Sequence, residues 1–180
     1  MGRNGKTYEL GYKLHVATDA KSELPMAVIA APANENEKKH ASALFCKALK
    51  TTGQLVKALI ADSQFSSRKL REQLSAHGVK AVIPYPANQS KGEAKLLRVD
   101  KYFRTHGPVV EKQVYTQRGA IERMNSRLKE QLCLERHRAR GLERITIHAL
   151  LSMIAMLLTA LVALRLNRLE KARCITMLAR

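Results

Sequence analysis

The sequence YTQRGAIERMNSRLK, residues 115–129, decides how the rest of the chain is interpreted. From Val110 onward the pattern is helical, so these residues are expected to form one helix. Four polar side chains in it lie within about 60° of one another at 100° per residue. They are Tyr115, Arg118, Glu122 and Lys129. The spacing predicts a carboxylate flanked by two cations and a phenol, all able to reach one ligand.

The opposite side of this predicted helix is apolar. Its residues Ile121, Met124, Leu128 and Leu132 recur at helical spacing. Such a stripe docks a helix against a sheet, which leaves the polar face turned outward toward a ligand. The simpler interpretation of Glu122 is a solvated ion pair with the arginine four residues earlier, worth about a few tenths of a kcal/mol.

The chain before this helix begins with a predicted hairpin. Residues 11–18 and 24–31 read as two antiparallel strands, separated by the polar turn Asp19–Glu23. A helix is expected over Lys38–Lys50, ending near Gly53.

Two further strands are expected downstream of that helix. Leu55–Ala61 is a short, continuously apolar run, typical of a strand buried on both faces, and it ends at Asp62. Ser66 and Ser67 can cap a second helix, and Val79–Ile83 supplies another strand. The order ββαβαβ, followed by long helices, predicts an α/β fold with a central mixed sheet flanked by helices. Taken alone, an aspartate at the position of Asp62, after a strand and before serine, is more often a helix cap than a catalytic group.

Charge indicates the partner. Lys and Arg number 32 against 15 Asp and Glu, giving a formal net charge of +17 over 180 residues. A body this basic attracts a polyanion whatever its fold, so nucleic acid is the expected partner, with an anionic membrane surface as the alternative. Cys46, Cys133 and Cys174 lack metal or disulfide spacing, which indicates a reducing cytoplasm. Residues 1–10 contain no secretory signal.

One segment has the length of a membrane span. Residues 145–164 are mainly Leu, Ile, Ala and Met, and basic residues precede them. The segment also contains Thr146, His148, Ser152 and Thr159. We therefore expect a buried helix of a soluble core, with a membrane anchor as the alternative.

The motif in residues 115–129, with an aspartate ending an apolar strand upstream, resembles the signature of insertion-sequence transposases with Asp-Asp-Glu active sites. It is most similar to the branch named for its tyrosine, arginine, glutamate and lysine. Residues 11–15, Gly-Tyr-Lys-Leu-His, also resemble the second core strand of that family. The resemblance extends from about Gly11 to about Leu164, and it implies a ribonuclease H-like fold.

The resemblance also implies a chemistry. In such a fold, carboxylates hold two divalent metals about 3.5–4 Å apart, which activate a water or a DNA 3′-hydroxyl for in-line attack at phosphorus. Hard oxygen ligands suit Mg²⁺ or Mn²⁺. By this resemblance Asp62 corresponds to the second catalytic aspartate and Glu122 to the glutamate, and both are metal ligands.

Residues around these carboxylates are expected to bind DNA. Arg118 and Lys129 would neutralise or position backbone phosphates, and Tyr115 would contact DNA or orient its neighbours. An arginine cluster downstream is interpreted as a further phosphate-binding surface, the alternative being a solvated face. It comprises Arg136, Arg138 and Arg140.

The first catalytic aspartate of the family has no counterpart. It belongs on the strand before residues 11–15, and residues 1–10 contain no aspartate. Asp19 is the nearest candidate, but a polar turn residue needs no catalytic explanation. We expect a chain truncated at its N-terminal side, lacking the first strand and inactive or nearly so. Residues 1–165 would be the C-terminal part of the catalytic domain, and residues 166–180 a basic tail.

Two alternatives to an active transposase stay open. One is a non-catalytic DNA-binding remnant that keeps the fold and the basic surface. The other is a basic membrane-associated protein anchored by residues 145–164. Enzymes of this class usually act as homodimers on paired DNA ends, so a homodimer at the nucleoid in the cytoplasm is expected if the first interpretation holds.

Overall fold

The computed structural model describes residues 2–4, 7–9, 11–86, 109–135 and 139–176. The chain divides into two compact units. The hairpin unit consists of Met1–Glu35 together with Ala120–Arg180, and the middle unit consists of Asn36–Gly119.

The hairpin unit takes its name from two antiparallel strands, β3 (Tyr12–Thr18) and β4 (Pro25–Pro32). Val16 lies opposite Val28 in the pairing register. A shorter antiparallel pair precedes them, β1 (Gly2–Asn4) and β2 (Thr7–Glu9). The longer hairpin confirms the prediction for residues 11–31, whereas residues 1–10 show no apolar alternation that would predict the shorter one.

Two helices of the hairpin unit supply its core. They are α4 (Gly119–Glu130) and α5 (Leu142–Arg165). Met124 and Leu128 of α4 pack with Met156 of α5, all at most 3% exposed. This confirms the predicted apolar stripe, although a helix as well as strand β3 forms the surface against which it docks. A short 3-10 turn, Leu169–Lys171, follows α5.

The middle unit contains α1 (Glu37–Thr51), β5 (Ala58–Ile60), a 3-10 turn (Ser63–Phe65), α2 (Arg68–Ala76), β6 (Lys80–Val82) and α3 (Val109–Thr116). Strands β5 and β6 are parallel. Phe45, Leu70, Leu74 and Ile83 form its core, each at most 2% exposed. The predicted order of helix, strand, helix and strand is therefore confirmed for this unit.

Capping explains where α1 and α2 begin and where α2 ends. The Asn36 side chain accepts a hydrogen bond from the N–H of Lys38, and Ser67 Oγ accepts one from the N–H of Leu70. Gly78 follows α2 with φ +65°, a left-handed conformation that costs glycine least.

One sequence-based prediction about the strands is wrong, and another is not confirmed. The apolar run from Leu55 does not pair until Ala58, and Leu55 is 83% exposed because it follows directly on the turn that ends α1. Strand β5 is half-buried, and its Leu59 packs against the core around Phe45. Among the described residues the strands form three two-stranded sheets, so the predicted central mixed sheet is not confirmed. Each pair consists of strands close in sequence.

Helix α5 has two unlike sides. One is buried against β3 and β4 and includes Ala149, Met153 and Met156. The other is exposed and apolar. Its residues are Ile147, Leu150, Leu151, Ile154, Leu157, Leu158, Leu161 and Leu164. The predicted buried helix is thus confirmed for one face and wrong for the other. Helix α5, with 24 residues, is also long and apolar enough to span a membrane. Core helices of soluble proteins can meet the same two criteria of length and composition.

Two adjacent residues of α5, one on its buried face and one on its exposed face, test the difference between these faces. Met156→Ala is expected to lower the free energy of unfolding by about 2–5 kcal/mol, because Met156 is 3% exposed and its truncation leaves a cavity. Leu157→Ala, at a position 45% exposed, should lower it by about 0.5 kcal/mol or less. Urea unfolding of both variants provides the measurement. Equal losses would contradict the exposure of Leu157.

Candidate active site

Asp62 lies at the carboxyl end of β5, the edge of a parallel sheet where ligands usually bind. Its backbone is extended, its side chain is exposed, and Ser63 Oγ donates a hydrogen bond to its Oδ1 at 3.0 Å. The carboxylate makes no capping hydrogen bond to the turn that follows, and Ser67 caps α2 instead. The helix-cap interpretation of Asp62 is therefore wrong.

A cleft adjoins this part of the chain. It has a volume of about 260 Å³ and is lined by Ser66, Ser67, Arg68, Arg71, Glu72 and Tyr85. The Arg71 guanidinium lies 4.0 Å from the centre of the Tyr85 ring and donates to Ser66 Oγ and to the Ile83 carbonyl. Burial lowers the pKa of Arg71 from its ordinary value. Arg71 thus fixes the segment after β6, a role that its sequence context did not indicate.

The predicted continuous helix through residues 115–129 is interrupted. The N–H of Gln117 donates to the Val114 carbonyl at 3.1 Å, and the N–H of Arg118 donates to the Tyr115 carbonyl at 3.0 Å. These bonds span three residues rather than four, so α3 ends here, and Gly119 begins α4. The prediction that all four motif residues share one helix face is therefore wrong.

The break separates the motif residues. Tyr115 lies in the last turn of α3 and Arg118 in the turn that follows, both half-buried and in the middle unit with Asp62. Glu122 and Lys129 are exposed on α4 in the hairpin unit. Seven residues apart, they emerge from the same side of that helix. The predicted convergence of Asp62 with Glu122 stays a prediction.

The remaining predicted DNA contacts lie near the end of α4 and beyond it. Lys129 Nζ is 3.3 Å from Glu135 Oε1, with the two side chains 56% and 65% exposed, an ion pair that contributes little to stability. Arg140 is exposed. Arg136 and Arg138 lie outside the described residues.

Asp19 occupies the turn between β3 and β4. Its Oδ2 accepts hydrogen bonds from the N–H and the Oγ of Ser22, both at 2.7 Å. Burial acts to raise its pKa, but these hydrogen bonds outweigh it, so the pKa is lower than usual. The structure thus gives Asp19 the role of a turn residue, as the sequence indicated.

Glu23, in the same turn, binds three arginines from distant parts of the chain. Its carboxylate accepts hydrogen bonds from Arg123 Nε at 2.7 Å, Arg127 Nη1 at 2.9 Å and Arg173 Nη1 at 2.9 Å. The Glu23 side chain is only 4% exposed. Its backbone has φ +58°, in the left-handed region. We call these four residues the Glu23 cluster.

The Glu23 cluster also binds the backbone of the turn. Arg127 Nη2 donates to the Glu23 carbonyl, and Arg173 donates to the carbonyls of Lys21 and Ser22. Burial acts to raise the pKa of Glu23, but the three guanidiniums outweigh it and hold the pKa below its ordinary value of 4.5. No sequence pattern indicated this cluster, because its partners are at least 100 positions from Glu23.

Within the described part of the chain, no group of three His, Cys, Asp or Glu residues converges as a metal site would require. Asp62 and Glu122 nevertheless offer the exposed carboxylate oxygens that hard divalent ions prefer.

Comparison with known protein families places the chain in one of them. Residues 1–158 match the family described as "Transposase DDE domain". The matched range includes both Asp62 and Glu122. No curated protein and no solved structure matches the chain.

Proposed function

Because the chain belongs to the transposase DDE domain family, we propose that it is a transposase domain that cleaves DNA at transposon ends and transfers the strands. The match over residues 1–158 carries this proposal. The formal net charge of +17 supports it, since DNA is a polyanion. We further propose a ribonuclease H-like fold and the branch with the Tyr-Arg-Glu-Lys motif, which the spacing from Tyr115 to Lys129 supports.

The proposed ligands of the divalent metal are Asp62 and Glu122. The resemblance to transposases with Asp-Asp-Glu active sites implies divalent metal ions, and carboxylate oxygens suit Mg²⁺ or Mn²⁺. When bound, such an ion supplies an activated oxygen nucleophile and stabilises the leaving oxygen at phosphorus. The exposure of both side chains supports this assignment.

The proposed DNA contacts come from cations near these carboxylates in the sequence. Lys129 holds its acidic partner only through an exposed ion pair, which a phosphate can replace at small cost. Arg118, Tyr115 and Arg140 would bind or orient the strand, as would Arg136 and Arg138. We propose DNA as the partner, a homodimer on paired ends, and a cytoplasmic location at the nucleoid.

A nicking assay tests the proposal. The purified chain with Mn²⁺ and duplex DNA carrying the ends of its element is expected to give weak nicking that EDTA stops. Activity should be weak, because only two carboxylates of an Asp-Asp-Glu site are identified in these 180 residues. Cleavage that persists in EDTA, or no binding to DNA at low salt, would contradict the proposal.

The same assay separates the alternatives. A DNA-binding remnant would bind the duplex at low salt but leave it intact with every metal. A membrane-associated protein would stay with the membrane fraction after a high-salt wash, through the exposed face of α5. We expect the chain in the soluble fraction instead.

A further inference from the structure

The Glu23 cluster carries more positive charge than its own salt bridges neutralise. One carboxylate meets three guanidiniums, so the cluster has a net charge of +2. Arg127 is nearly buried, its side chain being 13% exposed, whereas those of Arg123 and Arg173 are 59% and 48% exposed. The surplus charge therefore lies at the surface.

Arg123 is a half-exposed member whose guanidinium is only partly bonded. Its Nε is bound to Glu23 Oε1, and neither Nη group has a hydrogen-bond partner among the residues that the structure describes. A buried carboxylate thus holds the Nε edge of a side chain that is 59% exposed, and the opposite edge carries the two Nη groups. That edge is a planar pair of N–H donors, a geometry that matches two oxygens of a phosphate.

We propose that Arg123, held in place by Glu23, binds a backbone phosphate of DNA through its Nη edge. This inference rests on the proposed function, in which Glu122 is a catalytic residue that acts on DNA. Arg123 directly follows Glu122 in α4. The bound phosphate would lie about 100° around the helix from the catalytic carboxylate. Arg123 is a DNA-binding residue, and Glu23 is its positioning residue.

Substitution of Arg123 tests the contact. The measurement is the affinity for a short labelled duplex at several salt concentrations between about 50 and 200 mM. Arg123→Ala should weaken binding about tenfold at the lowest salt and reduce the salt slope by about 0.9, the loss of one phosphate contact. Arg123→Lys keeps the charge but not the planar pair of donors, so it should recover less than half of the lost affinity on a logarithmic scale.

Arg165 provides the matched control. It is exposed at the end of α5 in the same unit, and Arg165→Ala removes the same charge. The control should keep nearly the wild-type affinity. Equal effects of the Arg123 and Arg165 substitutions, or full rescue by lysine, would overturn the inference, because charge alone would then explain binding.

Glu23→Gln separates positioning from charge, because the two predict opposite changes in the affinity for DNA. The substitution makes the protein more basic by one charge, so charge alone predicts tighter binding to DNA. Loss of the group that orients Arg123 predicts weaker binding. Binding is measured at a temperature where circular dichroism shows that Glu23→Gln is folded. If no such temperature exists, the Arg123→Ala and Arg123→Lys variants decide whether Arg123 contacts DNA. Tighter binding would overturn the positioning role. If the wild-type chain bound no duplex at all, the proposed function itself would fail.

Discussion

Glu23→Gln is expected to lower the free energy of unfolding by about 3 kcal/mol at pH 7. Removing one partner of a buried ion pair typically costs about 3–5 kcal/mol, because the other charge is left without compensation. The lower end applies here, since Arg123 and Arg173 are about half exposed and water can solvate them. Arg127, with 13% of its side chain exposed, would lose the most. Urea unfolding at pH 7 measures the change.

The effect should depend on pH in one direction. The folded-state pKa of Glu23 is lower than its ordinary value of 4.5, so its contribution to stability is present above that value. The contribution is lost as pH falls through the lower folded-state pKa. The difference in stability between the wild type and Glu23→Gln should therefore narrow in acid. A difference that stayed constant below pH 4.5 would show that the carboxylate charge is not what stabilises the cluster.

Asp19 supplies the control for the predicted loss of stability in Glu23→Gln. It lies in the same turn, but its carboxylate bonds to Ser22 and Lys21 of that turn and contacts no arginine in the described contacts. Asp19→Asn should cost about 1 kcal/mol, the ordinary contribution of a local hydrogen bond. If Glu23→Gln cost no more than Asp19→Asn, the three arginines would contribute nothing to stability.

Asp62→Asn and Glu122→Gln are each expected to abolish metal-dependent nicking. Each substitution keeps the size of the side chain and removes the charge that holds a divalent ion. We expect the affinity for Mn²⁺, measured by electron paramagnetic resonance with DNA present, to fall at least about a hundredfold. Removing even an outer partner of a metal ligand costs about 10–100-fold, so loss of a direct ligand should cost no less.

Similar losses of Mn²⁺ affinity in Asp62→Asn and Glu122→Gln would support one metal site with both carboxylates as ligands. Glu130→Gln is the matched control, since Glu130 is exposed on the same helix as Glu122, in its last turn, and it should keep metal binding. If Asp62→Asn lost the ion while Glu122→Gln kept it, the two carboxylates would not share a metal. The assignment of Glu122 would then be wrong.

Local signals allowed much of each unit to be predicted from the sequence. The alternation around Val16, the cap at Ser67 and the stripe through Met124 each depend on residues a few positions apart, and each is present in the structure. The position of Asp62 at the end of a strand was likewise readable, because an apolar run stops there.

Features that depend on distant contacts or on small backbone preferences could not be predicted. Helical spacing continues through Arg118, so the pattern gave no sign of the break before Gly119. Helix α5 is apolar on all sides, so its sequence could not show which face is exposed. The Glu23 cluster joins residues at least 100 positions apart, beyond the reach of any spacing rule.

The left-handed backbone of Glu23 has an evolutionary consequence. Glycine suits this conformation best, and any other residue adopts it at a cost of about 1 kcal/mol. A glycine would relax the turn and leave three guanidiniums crowded together without an anion. The residue at position 23 is therefore coupled to those at 123, 127 and 173. Relatives without the arginines have reason to carry glycine there, and relatives with them have reason to keep the acid.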